Sequence, residues 1–384
     1  MAPRIPLAWL QLKRERLRFL VGIAGVTFAV TLIFMQLGFR DALFASAVRL
    51  HEHLRADLVL VNPKSEFLAR MEPFARRRLY QTLAFDGVES VAAVYTGAAV
   101  WKNPFERGAR VMFVAGFDPS QQVFELPGVE QRRQALLHPD VVLFDDASRP
   151  EYGPVPAAFR ASGPVSVEVA NRRVTVGGLF SLGTSFGIDG SLITSDLNFL
   201  RLFPPREPGL IDIGLIRLKR GIDPLALRTA LRAALPPDVE VLTKADYVAR
   251  EKAYWGNATA IGYVFSFGAV MGFVVGAIIV YQILFADISS HLAEYATLKA
   301  MGYTNGYIFK VVFQEAIILA VFGYLPGALI CVQLYRLTEN ATRLPMQMSP
   351  ATGMLVLGLT VAMCCFSGAI ALRKVRSADP AEIF

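Results

Sequence analysis

Three short patterns in this 384-residue chain carry side chains able to do chemistry. His51-Glu52-His53 sets two imidazoles two residues apart. On a strand that spacing would put both on one face, as a metal pair requires. Here the pair follows a long apolar run whose helix is expected to continue through it, so no metal site is predicted. Gly183-Thr-Ser-Phe-Gly187, with Asp189-Gly190, is rich in glycine, but no helix start with a lysine follows. It predicts a turn and not a phosphate cradle. Neither His138 nor His291 belongs to a nucleophile–base pattern. The GxxxxGK[ST] pattern is absent, and the dipeptide Gly-Lys does not occur. The chain is therefore expected to carry no cofactor and to hydrolyse no ATP by itself. Cys331, Cys364 and Cys365 all lie in apolar runs, so no disulfide framework is expected.

The third pattern is the stretch at residues 287–310, DISSHLAEYATLKAMGYTNGYIFK. It is polar, and long apolar segments flank it on both sides. Ser289 and Ser290 are residue types that cap a helix start, and Met301-Gly302 reads as a stop. At about 3.6 residues per turn, Glu294, Leu298 and Met301 share one face. Ile288, Leu292, Tyr295 and Lys299 share another, with Lys299 long enough to snorkel. The two faces suit a helix lying between a membrane surface and a cytoplasmic partner. An ordinary inter-helix loop fits the same pattern.

The elements that must position this stretch follow from composition. The chain is 54% hydrophobic and 18% charged, with mean hydropathy +0.42. Soluble domains are about 45–50% apolar and about 25% charged. The net charge of +7 is explained by basic membrane flanks and an Arg-rich polar region. No zinc-finger, basic-zipper or RNA-binding pattern occurs, so nucleic acid is not an expected partner.

Four apolar runs are long enough to cross a bilayer, which takes about 20 residues. They divide the chain as follows. An interfacial N-terminal segment (1–16) with Trp9 precedes the first span (17–40). Residues 41–257 form a large domain. The second span (258–286), the polar stretch (287–307) and the third span (308–335) follow. A short loop (336–351), the fourth span (352–372) and a basic tail (373–384) complete the chain. Ala45-Ser-Ala47 mimics a signal-peptide cleavage site, but the preceding apolar run is too long for one. The predicted fold class is thus an α-helical membrane protein with four transmembrane helices and a large α+β extracytoplasmic domain between the first and second.

Within that domain, residues 57–61, 90–100, 110–115, 165–169, 174–180 and 211–218 read as strands. Residues 73–83 and 224–235 read as helices. The proline-rich segment 149–163 reads as a loop or junction. Basic clusters before the first span and after the fourth put both termini in the cytoplasm, the large domain outside and residues 287–304 inside.

Gly268, Gly272 and Gly276 recur every four residues on the second span, and Gly323 and Gly327 repeat the spacing on the third. Small residues let helices approach closely in lipid. Residues 19–39, 316–335 and 352–372 contain no charged side chain or histidine, which argues against ion coupling. Gln36 and Gln282 are the polar exceptions and are expected to hydrogen-bond between helices.

Glu294-Tyr-Ala-Thr-Leu-Lys-Ala-Met-Gly302 resembles the coupling-helix signature of ABC exporter permeases of the FtsX/MacB class. Pro6-Leu-Ala-Trp-Leu-Gln-Leu12, Met35-Gln-Leu-Gly-Phe-Arg-Asp-Ala-Leu43 and Val311-Val-Phe-Gln-Glu315 resemble the DevC subgroup, as does the C-terminal ending. The resemblance covers both ends of the chain and is weaker in the middle. It implies an inner-membrane permease subunit, acting as a homodimer with a separate cognate ATPase. Glu294, Leu298, Met301 and Gly302 would form the ATPase-coupling site. A periplasmic membrane-fusion adaptor and a TolC-like outer-membrane channel would be further partners. It also implies a two-part outer domain, with a mostly β part inserted into a helix-and-strand part. A lipoprotein-release permease, an FtsX-type cell-division regulator and a non-ABC receptor or carrier are the alternative functions.

Overall fold

The structure is a computed structural model that describes residues 15–106 and 108–377. The expected N-terminal interfacial segment (up to residue 14) and the tail from residue 378 lie outside the described residues. The chain divides into two compact units. One comprises residues up to Ala42, Ala260–Ala341 and the chain from Met346. The other comprises Leu43–Thr259 with Thr342–Pro345.

Four helices of the first unit are long and apolar enough to cross a membrane: Arg16–Ala47, Ala260–Ser290, Gly306–Thr342 and Pro350–Leu372. They are helical because nothing in them breaks the intrahelical ladder except Pro326, inside the third. Side chains from all four meet in one apolar core that includes Val30, Phe34, Leu284, Val312, Leu319 and Met363.

The glycines mark where these helices approach. A Cβ on Gly276 would lie 2.6 Å from the Ala29 Cβ and against the Met363 sulfur. One on Gly272 would lie 3.1 Å from Ile33, and one on Gly268 would run into the Gln36 amide. Gly323 faces Val26, and Gly327 faces Val30 at 2.7 Å. The second and third spans thus both pack their glycines on the first span of the same chain. Polar links between helices include hydroxyls, both the short ones and those of Tyr324 and Tyr335, which donate to the Gly353 and Phe34 carbonyls. Thr27 Oγ1 donates to the Gly323 carbonyl at 3.1 Å, and Ser367 Oγ to that of Ala277 at 2.7 Å. Among the described residues the expected glutamine links are not made: Gln36 packs on Gly268 and Gln282 is exposed. A hydroxyl one bond from Cβ reaches a neighbouring carbonyl where helices are close.

In the second unit, eleven strands occur among the described residues. They are β1 (Leu58–Val61), β2 (Phe74–Ala75), β3 (Val88–Lys102), β4 (Ala109–Phe117), β5 (Val141–Asp145), β6 (Val165–Val169), β7 (Arg172–Phe180), β8 (Ser191–Ser195), β9 (Leu210–Ile211), β10 (Ile213–Leu218) and β11 (Glu240–Thr243). Nine of them form one sheet in the order β11-β1-β10-β3-β4-β8-β5-β7-β6. β4–β8 and β5–β7 are parallel pairs, and the rest are antiparallel. The long strand β3 also pairs with β6 through Trp101↔Val169, so the strands from β3 to β6 close on themselves. The helix-and-strand part and the mostly β part therefore share one sheet. Period-two alternation sends Val91, Ala93, Tyr95 and Ile216 into one apolar core and Val94, Leu215 and Ile213 into another on the opposite face.

The segment 149–163, expected as a loop, contains the helix Val155–Ser162. Its one proline, Pro156, falls in the first turn, where no intrahelical amide donor is needed, and Pro154 is the N-cap. Gly183–Gly187 is a loop, as its composition predicts. The buried Asp145 carboxylate holds it by accepting the Leu182 and Gly183 amides at 3.0 Å. His51 and His53 do not converge. His51 is buried with Nε2 3.4 Å from Glu251, while His53 Nδ1 lies 3.1 Å from the Glu125 carbonyl.

Candidate coupling site

The polar stretch folds as a nine-residue helix, Leu292–Ala300, between the second and third spans. Its start differs from expectation. The second span continues through Ser290, so both serines sit in its last turn. Ser289 Oγ donates back to the Phe285 carbonyl at 2.7 Å and Ser290 Oγ to that of Asp287 at 2.8 Å. A hydroxyl inside a helix bonds the preceding turn instead of capping the next one. The N-cap is His291, whose side chain makes no cap bond to the helix amides. Its ring Nδ1 lies 3.0 Å from the Asp287 carbonyl oxygen instead.

The stop is the one the glycine implies. Gly302 has φ +92°. Its amide donates to the Lys299 carbonyl, and the Tyr303 amide donates to that of Leu298, both at 3.0 Å. Those two bonds make a Schellman cap, in which a left-handed residue after the helix turns the chain back over its last carbonyls.

Burial then sorts the helix into faces. Tyr295 and Ala296 are buried, and Tyr295 joins Ile288 in the apolar core of the four spans. The inner face is thus held by protein and not by the membrane surface. Leu298, expected outside with Glu294 and Met301, is half-buried and packs on the same core. Its angular position explains this. At about 100° per residue, Leu298 lies roughly 40° from Glu294 and roughly 60° from Tyr295, so it can join either face. Burial of its apolar surface decides for the inner one. Glu294, Thr297 and Met301 remain outside, Met301 with 64% of its surface exposed. Tyr303 is exposed just beyond the cap. Thr297 is the member of this outer face that helical spacing from Glu294 and Met301 could have indicated.

The structure thus separates the four expected residues. Glu294 and Met301 form an outer patch, Gly302 shapes the end of the helix, and Leu298 anchors it. Among the described residues no cluster of His, Cys, Asp or Glu has the arrangement of a metal site. What the site offers is a rigidly mounted, solvent-facing patch with one flexible apolar side chain and one carboxylate.

Sequence comparison bears on this region directly. Residues 265–380 match the FtsX-like permease C-terminal family. The match runs from the second span through the short helix to the end of the fourth span. No curated protein matches the chain. Among solved structures, the periplasmic region of MacB from Actinobacillus actinomycetemcomitans is similar over 50% of this chain and 91% of that one, at 10% identity and TM-score 0.35. The extracellular domain of the noncanonic ABC-type transporter YknZ from Gram-positive bacteria covers 49% of this chain and 99% of that one, at 12% identity and TM-score 0.32.

Proposed function

We propose that the chain is the permease subunit of an ATP-driven ABC exporter, and that the helix Leu292–Ala300 is where a separate ATPase subunit docks. The observation that carries the reading is the mounting of this helix. Tyr295 pins its inner face to the bundle core, and a Schellman cap fixes its end. Glu294 and Met301 are left exposed among the described residues. The FtsX-like match covers this helix, and permeases of that family are membrane components of ABC systems whose ATPase is a separate subunit.

The mechanism is mechanical. Closure of the ATPases around ATP moves the docked helix. The first and second spans carry that movement to the domain outside. As a symmetric pair of permeases, the complex changes the shape of its outer domains and presses cargo into a periplasmic adaptor and an outer-membrane channel. The DevC-like stretches near both ends of the chain support that tripartite arrangement.

In this reading Met301 enters an apolar cleft of the ATPase and Glu294 pairs with a basic residue there. Burying such an apolar side chain is worth about 1.5–3 kcal/mol. At 1.4 kcal/mol per decade, Met301→Asp should weaken association by roughly tenfold or more. The ATPase is expected to co-purify with the wild type but not with Met301→Asp, each normalised to permease level. Lys299→Gln, half-buried on the other side, should retain it. Equal retention by Met301→Asp and wild type would refute the docking role.

A further inference from the structure

The second unit carries a pocket of about 250 Å³ that the coupling mechanism does not use. A water molecule needs about 10–15 Å³ of such space, so the pocket admits a much larger group.

Its floor follows from strand register. β3 and β10 are antiparallel neighbours, with Ala92 opposite Leu215 and Ser90 opposite Arg217. Side chains alternate along a strand, so these four share one face. It is the face on which Leu215 enters an apolar core with Val94 and Ile213. Ala92 is half-buried against that core. Two residues further along β3, Ser90 is exposed, and Arg217 opposite it is half-buried. The pocket thus opens where the core runs out, with Ala92 and Leu215 as an apolar floor and Ser90 and Arg217 at its polar end. Directly after Arg217 the register of β10 shifts, and the Leu218 amide donates to the Asp57 carboxylate at 2.8 Å. Such a bulge re-aims the side chain beside it.

The walls are tied to this floor by hydrogen bonds. Gln121 Nε2 donates to the Val91 carbonyl at 3.3 Å, and the Arg55 amide donates to the Val123 carbonyl at 2.8 Å. The loop after β4 and the segment before β1 are therefore held to β3 and to each other.

The charges in the lining are unbalanced. Two guanidiniums line the pocket, and no carboxylate does among the described residues. Arg55 is already engaged. Its Nη1 donates to Gln122 Oε1, and its Nε lies 3.8 Å from Glu125. Glu125 thus offsets one of the two positive charges. Among the described residues nothing accepts a hydrogen bond from the Arg217 guanidinium or pairs with it. Glu89, beside Ser90 on β3, falls on the opposite face. An arginine has five N–H donors and no acceptor, so Arg217 offers an empty fork to the pocket. One uncompensated positive charge and a planar fork match a carboxylate, which binds bidentately. A phosphate ester carries about −1.5 to −2 at pH 7 and would be left undercompensated. The apolar floor suits a short hydrocarbon stem.

We propose that this pocket binds a carboxylate on a short apolar stem, with Arg217 supplying the charged fork and Arg55 a second positive charge. Ser90 adds a hydroxyl donor at the same end. The site lies in the second unit and stands whether or not the short helix docks an ATPase.

The test is saturation-transfer NMR on the full-length protein in deuterated detergent at pH about 7, where carboxylates are ionised. The probes are butyrate, its neutral isostere butyramide, and N-acetylglutamate α-amide, whose only charge is a side-chain carboxylate. At least one carboxylate probe should receive saturation, and butyramide should not. Binding of butyrate alone supports a free acid as the ligand, and binding of the glutamate derivative alone supports a protein side chain. Arg217→Gln should weaken binding at least about tenfold, since it removes a charge-assisted bidentate contact. Ala92→Leu fills the floor without altering charge and should weaken it comparably. Arg173→Gln, an exposed arginine on β7 outside the pocket, should bind as wild type does. At constant ionic strength, acetate should displace the bound probe at lower concentration than phosphate. No transfer to either carboxylate, equal transfer to butyramide, or displacement by phosphate before acetate would each overturn the site. So would wild-type binding in both Arg217→Gln and Ala92→Leu, or equal losses in Arg173→Gln and Arg217→Gln.

Discussion

Replacing Gly302 with alanine isolates the contribution of the helix cap. Gly302 has φ +92°, and a Cβ there meets no other atom within 4 Å. The substitution therefore causes no clash with neighbours, and its whole effect is backbone strain. An L-residue in the left-handed region costs about 1–2 kcal/mol. The chain can keep the cap and bear that strain. Otherwise it relaxes and loses the bonds from the Gly302 and Tyr303 amides to the Lys299 and Leu298 carbonyls. Two such bonds are worth about 1–3 kcal/mol together. The smaller term sets the outcome, so the capped population should fall by about 5- to 30-fold relative to the frayed one. Hydrogen exchange resolved over residues 298–303 measures this directly, without any partner present. The Gly302 and Tyr303 amides should exchange faster by that factor. Gly302→Asn should recover part of the protection, because asparagine tolerates left-handed geometry. Wild-type exchange in Gly302→Ala would mean that the cap does not hold the end of the helix.

Two further expectations concern the rest of the chain. Burial raises Asp145 from 3.8 to about 6, against the opposing pull of the Leu182, Ala147 and Gly183 amides. A folded pKa above the unfolded one means that the native state binds the proton more tightly. This group's contribution, on the order of 3 kcal/mol, is therefore full below pH about 3.8 and is lost as pH rises through about 6. The difference in unfolding midpoint between wild type and Asp145→Asn should change across that window and be flat above it; a difference independent of pH from 4 to 7 would refute the assignment. For orientation, single cysteines at Arg149 and Thr297 should behave oppositely towards an impermeant maleimide applied to cells with a leaky outer membrane. Labelling at Thr297 but not at Arg149 would reverse the proposed topology.

The sequence alone determined the features that depend on neighbours along the chain. Four spans were legible because membrane crossing is a sum of transfer free energies over about 20 consecutive residues. The end of the short helix was legible at Gly302, because a left-handed turn is a property of one residue. The loop at Gly183–Gly187 was legible for a similar reason. Long alternating strands such as β3 and β10 announced themselves by period two.

Tertiary structure decided the rest. Leu298 lies between the two faces of its helix, and only the apolar core beneath it turns it inward. Ser289 and Ser290 have the chemistry of caps, but the second span runs on through them and their hydroxyls bond its last turn. The helix Val155–Ser162 survives Pro156 because that residue falls in its first turn. Closure of β3 onto β6 joins residues more than sixty positions apart. Asp287 and Glu315 each read as an ordinary charge at the edge of an apolar run. Both are buried once the spans pack together, because the burial of a charge depends on what lies opposite it and not on its neighbours in sequence.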